Sequence, residues 1–196
     1  MASSSLHNFP PASSTFVGRE HDIERLEKAL DRARLLTLTG TGGCGKTRLA
    51  LQVAASVVDR YPDGAWLVEM ASLADFTLVP QAVLSVLGVA EVPGVSLMET
   101  LTAHLASRHV LLLLDNAEHL LTGCAAFADT LLRECRGVTL LVTSREKLEV
   151  AGESTYRVPS MSLPDADASA SPSRLIDAES VAAPAACLTP AVRHRR

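Results

Sequence analysis

The stretch LLTLTGTGGCGKTRLALQVA, residues 35–54, decides the fold of this chain. It begins with apolar and β-branched residues of strand character and then places four glycines within six positions. After Lys46 and Thr47 it continues with the apolar rhythm of a helix. Two interpretations are open at this point: a flexible glycine-rich turn, or a loop whose backbone wraps around phosphate groups.

The octapeptide GTGGCGKT, residues 40–47, fits the pattern G-x-x-x-x-G-K-[ST] at every fixed position. Glycines adopt positive φ and let successive N–H groups face an anion, and the following helix adds its N-terminal donors and dipole. In this interpretation Lys46 contacts the β- and γ-phosphates of a nucleotide, and the Thr47 hydroxyl binds Mg²⁺. The predicted nucleotide-binding residues of this stretch are Gly40, Thr41, Gly42, Gly43, Cys44, Gly45, Lys46, Thr47 and Arg48.

Asp115 ends the apolar run 110–114 and therefore lies at the carboxyl end of a predicted strand, where open α/β sheets bind ligands. We predict that it binds Mg²⁺ together with Thr47, and the alternative is a cap for the next helix. Asn116 follows, at a position where many ATPases of this broad class carry a catalytic glutamate. Glu118 could replace that base, or it could only stabilise the dipole of the next helix. Hydrolysis is therefore expected to be slow, absent or dependent on another group.

Arg145 follows the predicted strand 138–143, which puts it at the same sheet edge as the glycine-rich loop and Asp115. A planar guanidinium at this edge could bind the γ-phosphate. The alternative is a surface arginine that pairs with Glu146 or Glu149. The predicted catalytic residues are Asp115, Glu118 and Arg145.

Strands alternate with helices from residue 34 to 144, which is the pattern of a parallel sheet covered by helices. The continuous apolar run HVLLLLD, residues 109–115, is typical of a strand buried on both faces. STYRVPSM, residues 154–161, is a candidate for one more strand. We therefore predict an α/β fold of the P-loop NTPase type, with three layers (α/β/α) and a mostly parallel central sheet.

Composition divides the chain into three parts. Residues 1–15 are rich in Ser and Pro and are predicted to form a disordered lead-in. Residues 16–161 are predicted to form the nucleotide-binding domain. Residues 162–196 are an Ala/Ser/Pro-rich, low-complexity tail and are predicted to be disordered.

Charge and hydropathy exclude several classes of function. A net charge of −4 argues against a nucleic-acid surface on this chain. No apolar run approaches the roughly 18–20 residues of a membrane span, and the start of the chain is not that of a signal peptide, so we expect a cytoplasmic protein with no membrane partner. The four cysteines show no metal-ligand spacing and are expected to be reduced thiols, mostly buried: Cys44, Cys124, Cys135 and Cys187. Cys44 could also be an oxidation-sensitive thiol of the loop.

Five segments together resemble a known family: FVGRE, LTLTGTGGCGKTRLALQVA, LLLLDNAEHLL, LLVTSRE and GESTYRVPSMSLPD. Their order and spacing resemble those of the signal-transduction ATPases with numerous domains. More narrowly, residues 16 to about 165 are similar to the NB-ARC-like nucleotide-binding domain of bacterial LuxR-type and SARP-type transcriptional regulators.

The resemblance implies roles for individual residues. Val17 and Arg19 would flank the adenine and ribose, Asp115 would be the Walker B aspartate, and Arg145 would be a sensor arginine. Family members hold ADP in a closed state, exchange it for ATP, and open to self-associate or to expose an effector domain. The family continues with further helices and a winged-helix domain, whereas residues from about 182 lose the apolar pattern of the next helix. We therefore interpret this end as truncated or out of frame.

The leading interpretation is a regulatory module that binds ATP or ADP with Mg²⁺ and is a fragment of a transcriptional regulator. A second is an ATPase whose function is turnover, with Glu118 as the base. A third is a small-molecule kinase, against which the lack of an arginine-rich lid between residues 72 and 107 counts. A fourth is an inert remnant that does not fold stably.

Overall fold

The computed structural model describes residues 6–11 and 18–159. Residues 6–10 and 20–159 belong to one unit of mutual contacts, whereas Pro11, Gly18 and Arg19 are the described members of a second unit. The strands of the first unit are β1 (Leu35–Thr39), β2 (Ala65–Glu69), β3 (Val110–Asp115), β4 (Val138–Ser144) and β5 (Glu153–Arg157). Its helices are α1 (Glu20–Leu30), α2 (Lys46–Val57), α3 (Val79–Val86), α4 (Leu97–Leu105) and α5 (Leu121–Glu134).

The five strands form one sheet in the order β2-β3-β4-β1-β5, and every neighbouring pair is parallel. β4 lies between β3 and β1, with Thr39 of β1 opposite Ser144 of β4 and Leu114 of β3 opposite Val142. Since all strands run the same way, the segments that follow β1, β3 and β4 emerge side by side at one edge of the sheet. This order positions the candidate site.

Helices cover both faces of the sheet. Leu112 and Leu114 of β3 belong to a buried cluster that includes residues of α3, α4 and α5. Leu111 and Leu113 alternate with them and are equally buried, on the opposite face, against which α2 packs. The two buried faces explain the continuous apolar run of β3 and confirm the predicted α/β fold with a parallel sheet between two helical layers.

Helix boundaries differ from the sequence-based expectation at the points where a turn interrupts the apolar period. The helical rhythm that begins after Lys46 and Thr47 gives α2, which ends at Val57, and a 3₁₀ turn follows at residues 58–60. The helix expected after Asp115 begins with a 3₁₀ turn at residues 117–119 and continues as α5. The left-handed Asn116, with φ of 62°, redirects the chain before this turn.

Part of the predicted disordered lead-in has a defined place at the sheet edge. His7 forms a parallel bridge with Ala65, whose N–H donates to Leu6 O at 2.9 Å. The Asn8 side chain contacts both backbone groups of Leu67: Nδ2 donates to the carbonyl at 2.9 Å, and Oδ1 accepts from the N–H at 2.7 Å. Residues 6–8 therefore depart from the expected disorder, because the edge strand β2 offers unpaired backbone groups. Residues 12–17 and 160–196, including the predicted tail, lie outside the described residues.

Three of the four cysteines are free and buried in the described part of the chain: Cys44, Cys124 and Cys135. Burial raises the pKa of the Cys124 thiol to about 11, so this side chain stays un-ionised at neutral pH. The fourth, Cys187, lies outside the described residues. Within residues 6–11 and 18–159, no helix combines the length and the hydropathy needed to cross a bilayer.

Replacement of Asn8 by Ala tests whether the lead-in is held on β2. The variant loses two hydrogen bonds to Leu67, and we expect the free energy of unfolding to fall by about 1–2 kcal/mol in a urea titration. Leu6→Ala is the control, because its side chain is 55% exposed and its backbone bond to Ala65 remains. Equal stability of Asn8→Ala and the wild-type chain would contradict this edge pairing.

Candidate functional site

The glycine-rich loop connects β1 to α2 in a conformation that other residues do not readily adopt. Gly45, which precedes α2, has φ of 87°, in the left-handed region that favours glycine. Gly40 has φ of 153°, and a Cβ there would lie 2.9 Å from Cys44 Sγ and 3.0 Å from Val158 O. Backbone conformation therefore favours glycine at position 45, and close packing against Cys44 and Val158 adds to it at position 40.

Lys46 is buried at the start of α2 and points back across the loop. Its side chain is 9% exposed, and Nζ donates to the carbonyl oxygens of Gly40 at 2.9 Å and Thr41 at 3.0 Å. The first turn of α2 carries no acidic side chain, and Gly45 supplies no side-chain cap. A cation and the positive end of a helix dipole thus lie together in one loop, which is the chemistry of an anion site.

Asp115 connects α2 to the central strands. Its Oδ1 accepts a hydrogen bond from Thr47 Oγ1 at 2.7 Å and another from Thr143 Oγ1 at 2.5 Å. Thr143 Oγ1 in turn accepts from the backbone N–H of Asn116 at 2.9 Å. The hydroxyl of Thr47 and the carboxylate of Asp115 are oxygen ligands of the kind that Mg²⁺ prefers, so the pair fits a magnesium site by its chemistry.

Arg145 pairs with Glu118 at the same edge. Its Nε donates to Glu118 Oε1 at 3.1 Å. The side-chain amide of Asn116, with its nitrogen assigned toward Glu118, donates to both carboxylate oxygens at 2.9 Å. A Cβ built on Gly42 would lie 3.8 Å from Nη2 of Arg145, so the guanidinium borders the glycine-rich loop. Glu118 thus receives donors from two sides.

The described structure brings together most of the residues predicted from the sequence. Residues 40–47, Asp115, Glu118 and Arg145 meet at the carboxyl edge of the sheet. Arg48 is half-buried on α2. Arg19 belongs to the second contact unit, and Val17 lies outside the described residues, so the role of both stays a prediction.

The fold gives Arg145 a partner different from the two that were considered from the sequence. Glu149 pairs with Lys147 at 3.3 Å, whereas the ion pair of Arg145 is with Glu118. Proximity along the chain suggested Glu146 or Glu149, but the fold brings Glu118 closer through the parallel register of β3 and β4.

Sequence reasoning missed two residues that position the site. One is Thr143, whose signal was a hydroxyl in the last residues of an otherwise apolar buried strand. The other is Glu153, whose Oε1 accepts from Leu148 N and whose Oε2 accepts from Glu149 N, each at 2.8 Å. Glu149 is left-handed, with φ of 62°, so a single carboxylate holds the turn that follows Arg145.

Residues 29–150 match the family model described as an AAA domain. An uncharacterised protein of Mycobacterium tuberculosis is 43% identical over 150 residues, which cover 76% of this chain and 38% of that protein. A second M. tuberculosis protein, whose name assigns it provisionally to the HTH-type transcriptional regulators, is 45% identical over 136 residues, or 69% of this chain and 15% of its own length. This chain therefore spans well under half the length of these relatives.

Two solved structures share the fold at low sequence identity. Cdc6p from Pyrobaculum aerophilum has a TM-score of 0.59 at 17% identity, and the match covers 76% of this chain and 48% of Cdc6p. The second is a signal transduction ATPase with numerous domains from Pyrococcus horikoshii, which carries a tetratricopeptide repeat sensor. It has a TM-score of 0.54 at 16% identity, and the match covers 78% of this chain and 24% of that protein. These similarities concern the fold alone, and together with the match to the AAA domain model they confirm its P-loop NTPase type.

Thr143→Val tests the hydroxyl that links Asp115 to Asn116. The variant keeps the side-chain shape but leaves the Asn116 N–H and the Asp115 carboxylate each short of one partner. We expect the free energy of unfolding to fall by about 1–3 kcal/mol in a denaturant titration.

Thr37→Val is the matched control, because Thr37 is also fully buried in a strand, and its Oγ1 has no hydrogen-bond partner among the described residues. Removal of this hydroxyl should leave stability unchanged or raise it by roughly 1 kcal/mol. Equal destabilisation by both substitutions would show that Thr143 contributes only packing.

Proposed function

The chain belongs to the AAA domain family, and from this premise we propose that it binds ATP and ADP with Mg²⁺ as the regulatory switch module of a signal-transduction ATPase. The observation that carries the proposal is the 2.7 Å contact between Thr47 Oγ1 and Asp115 Oδ1 beside the buried Lys46. This contact joins the start of α2 to the end of β3. The loop proposed to bind phosphate and the pair proposed to bind Mg²⁺ therefore share one edge of the sheet.

In the proposed complex, the backbone N–H groups of residues 40–47 and the Lys46 ammonium bind the phosphates. Thr47 and Asp115 hold Mg²⁺, which when bound neutralises part of the charge on the β- and γ-phosphates. Val17 and Arg19 are proposed to flank the adenine and ribose, and Arg145 is proposed to contact the γ-phosphate.

A switch with slow or no hydrolysis by the chain alone is favoured over a rapidly turning-over ATPase. Asn116 carries an amide, which cannot accept the proton of an attacking water. Glu118, the other candidate base, already accepts hydrogen bonds from Asn116 and Arg145. Turnover with Glu118 as the general base is the alternative function, in which the carboxylate accepts the proton of water through a lone pair that these donors leave open.

The proposal extends to the regulatory setting of the domain. The relative named provisionally as an HTH-type transcriptional regulator supports a role within such a regulator. The net charge of −4 argues against DNA contact through this chain itself. The same proposal includes three further statements. The domain is of the NB-ARC-like type found in LuxR-type regulators, it is located in the cytoplasm, and it self-associates or binds a partner when ATP is bound.

Thermal unfolding with and without nucleotide tests the binding site. Wild-type chain with Mg-ADP or Mg-ATP at about 100 times the dissociation constant should gain roughly 2.7 kcal/mol of stability. Lys46→Ala should lose this gain, because the ammonium that faces the loop is removed. Lys28→Ala is the control, since Lys28 is an exposed residue of α1 paired with Glu24 at 2.6 Å.

Each outcome of this experiment favours a different interpretation of the chain. A cooperative transition that no nucleotide shifts would contradict the proposed site, and the lack of any cooperative transition would favour an inert remnant. A phosphate-release assay on the wild-type chain separates a switch from an ATPase. Release that is rapid and lost in Glu118→Gln would establish turnover with Glu118 as the base.

A further inference from the structure

We propose that Glu118 is a specificity-determining residue that competes with the γ-phosphate of ATP for the Arg145 guanidinium. The carboxylate thereby sets how strongly the site prefers ATP over ADP. This inference rests on the proposed nucleotide site and names a control over its choice of ligand. It assigns Glu118 a role in the choice between nucleotides, instead of the role of general base that was considered from the sequence.

The two partners of the ion pair differ in how firmly they are held. Only 20% of the Glu118 side chain is exposed, against 66% of that of Arg145. A long, mostly exposed arginine can change partner at little cost in packing, whereas the enclosed carboxylate stays where its other contacts hold it. Glu118 is thus the fixed anion, and Arg145 is the part that can move.

Asn116 fixes the position of Glu118. Its left-handed backbone, with φ of 62°, begins the 3₁₀ turn that carries Glu118, and its side-chain amide donates to both carboxylate oxygens at 2.9 Å. The Asn116 N–H is bound in turn by Thr143 Oγ1, which contacts Asp115. The anion that holds Arg145 is therefore connected by hydrogen bonds to the residues proposed to bind Mg²⁺.

Arg145 already borders the loop proposed to hold the phosphates. Nε is engaged by Glu118 at 3.1 Å, while Nη2 lies 3.8 Å from the place that a Cβ on Gly42 would occupy. Nε and Nη2 form one edge of the planar guanidinium, and a phosphate that binds this edge through both donors needs the Nε that Glu118 occupies. ADP has no γ-phosphate, and its binding leaves the pair with Glu118 intact. Only ATP must displace the carboxylate, so the cost of breaking the pair falls on ATP alone.

The test compares the dissociation constants of Mg-ADP and of the non-hydrolysable Mg-AMPPNP by calorimetry on the full chain. In Glu118→Gln the affinity for AMPPNP relative to ADP should rise about three- to fivefold, the size expected for a half-exposed ion pair. In Arg145→Gln the relative affinity should fall below that of the wild-type chain. Glu149→Gln removes a charge from the same loop but not from this pair, and should leave the ratio unchanged.

A double-mutant cycle separates competition for Arg145 from simple repulsion between Glu118 and the triphosphate. If Glu118 acts through Arg145, Glu118→Gln has no effect on the ratio when Arg145 is already Gln. A rise that persists in the Arg145→Gln background overturns the proposal, because repulsion alone then explains it. Glu118→Ala provides a second variant should the Gln side chain keep a hydrogen bond to Arg145.

Failure of the proposed nucleotide binding and failure of the proposed preference between ATP and ADP give different results. Wild-type chain that binds neither nucleotide overturns the proposed function and this inference with it. Wild-type chain that binds both, with a ratio unchanged in Glu118→Gln and Glu118→Ala, overturns this inference alone. Each variant is first shown to unfold cooperatively without nucleotide, at a midpoint close to that of the wild-type chain.

Discussion

The carboxylate of Asp115 is the contact on which the rest of the site depends. It accepts hydrogen bonds from Thr47 at the start of α2 and from Thr143 on β4, so it joins three elements that are far apart in the sequence. This meeting is possible because β1, β4 and β3 are consecutive strands of a parallel sheet. A different strand order would separate the glycine-rich loop from the acidic residue, and the two could not then meet in one site.

Much of this arrangement could be predicted from the sequence because it depends on local pattern. The glycines, the lysine and the apolar runs specify the β1–loop–α2 unit, and a residue that ends a buried strand must lie at the carboxyl edge. Asp115 and Arg145 were located in this way. The pattern does not contain the strand order, which depends on long-range packing. For this reason the sequence offered Glu146 and Glu149 as partners of Arg145, and the fold pairs it with Glu118.

Side-chain contacts that cross between strands could not be predicted. Thr143 looks like one more β-branched residue of an apolar strand, and its hydroxyl gains a role only when β3 lies next to β4. Residues 6–8 were predicted to be disordered because Ser and Pro dominate their surroundings. Their order comes from the free edge of β2, which no local composition reveals. In both cases a neighbour distant in sequence decides the outcome.

The pairing of residues 6–8 with β2 has a practical consequence for how this domain is prepared. Asn8 contacts Leu67 through its side chain rather than its backbone, so the added segment does not itself offer a regular ladder for the next strand. A protein expressed from the start of α1 would lack this segment and present β2 as an open edge to a second molecule. Dimers formed in that way would be independent of nucleotide, and in a sizing column run only with ATP they would be mistaken for assembly driven by ATP.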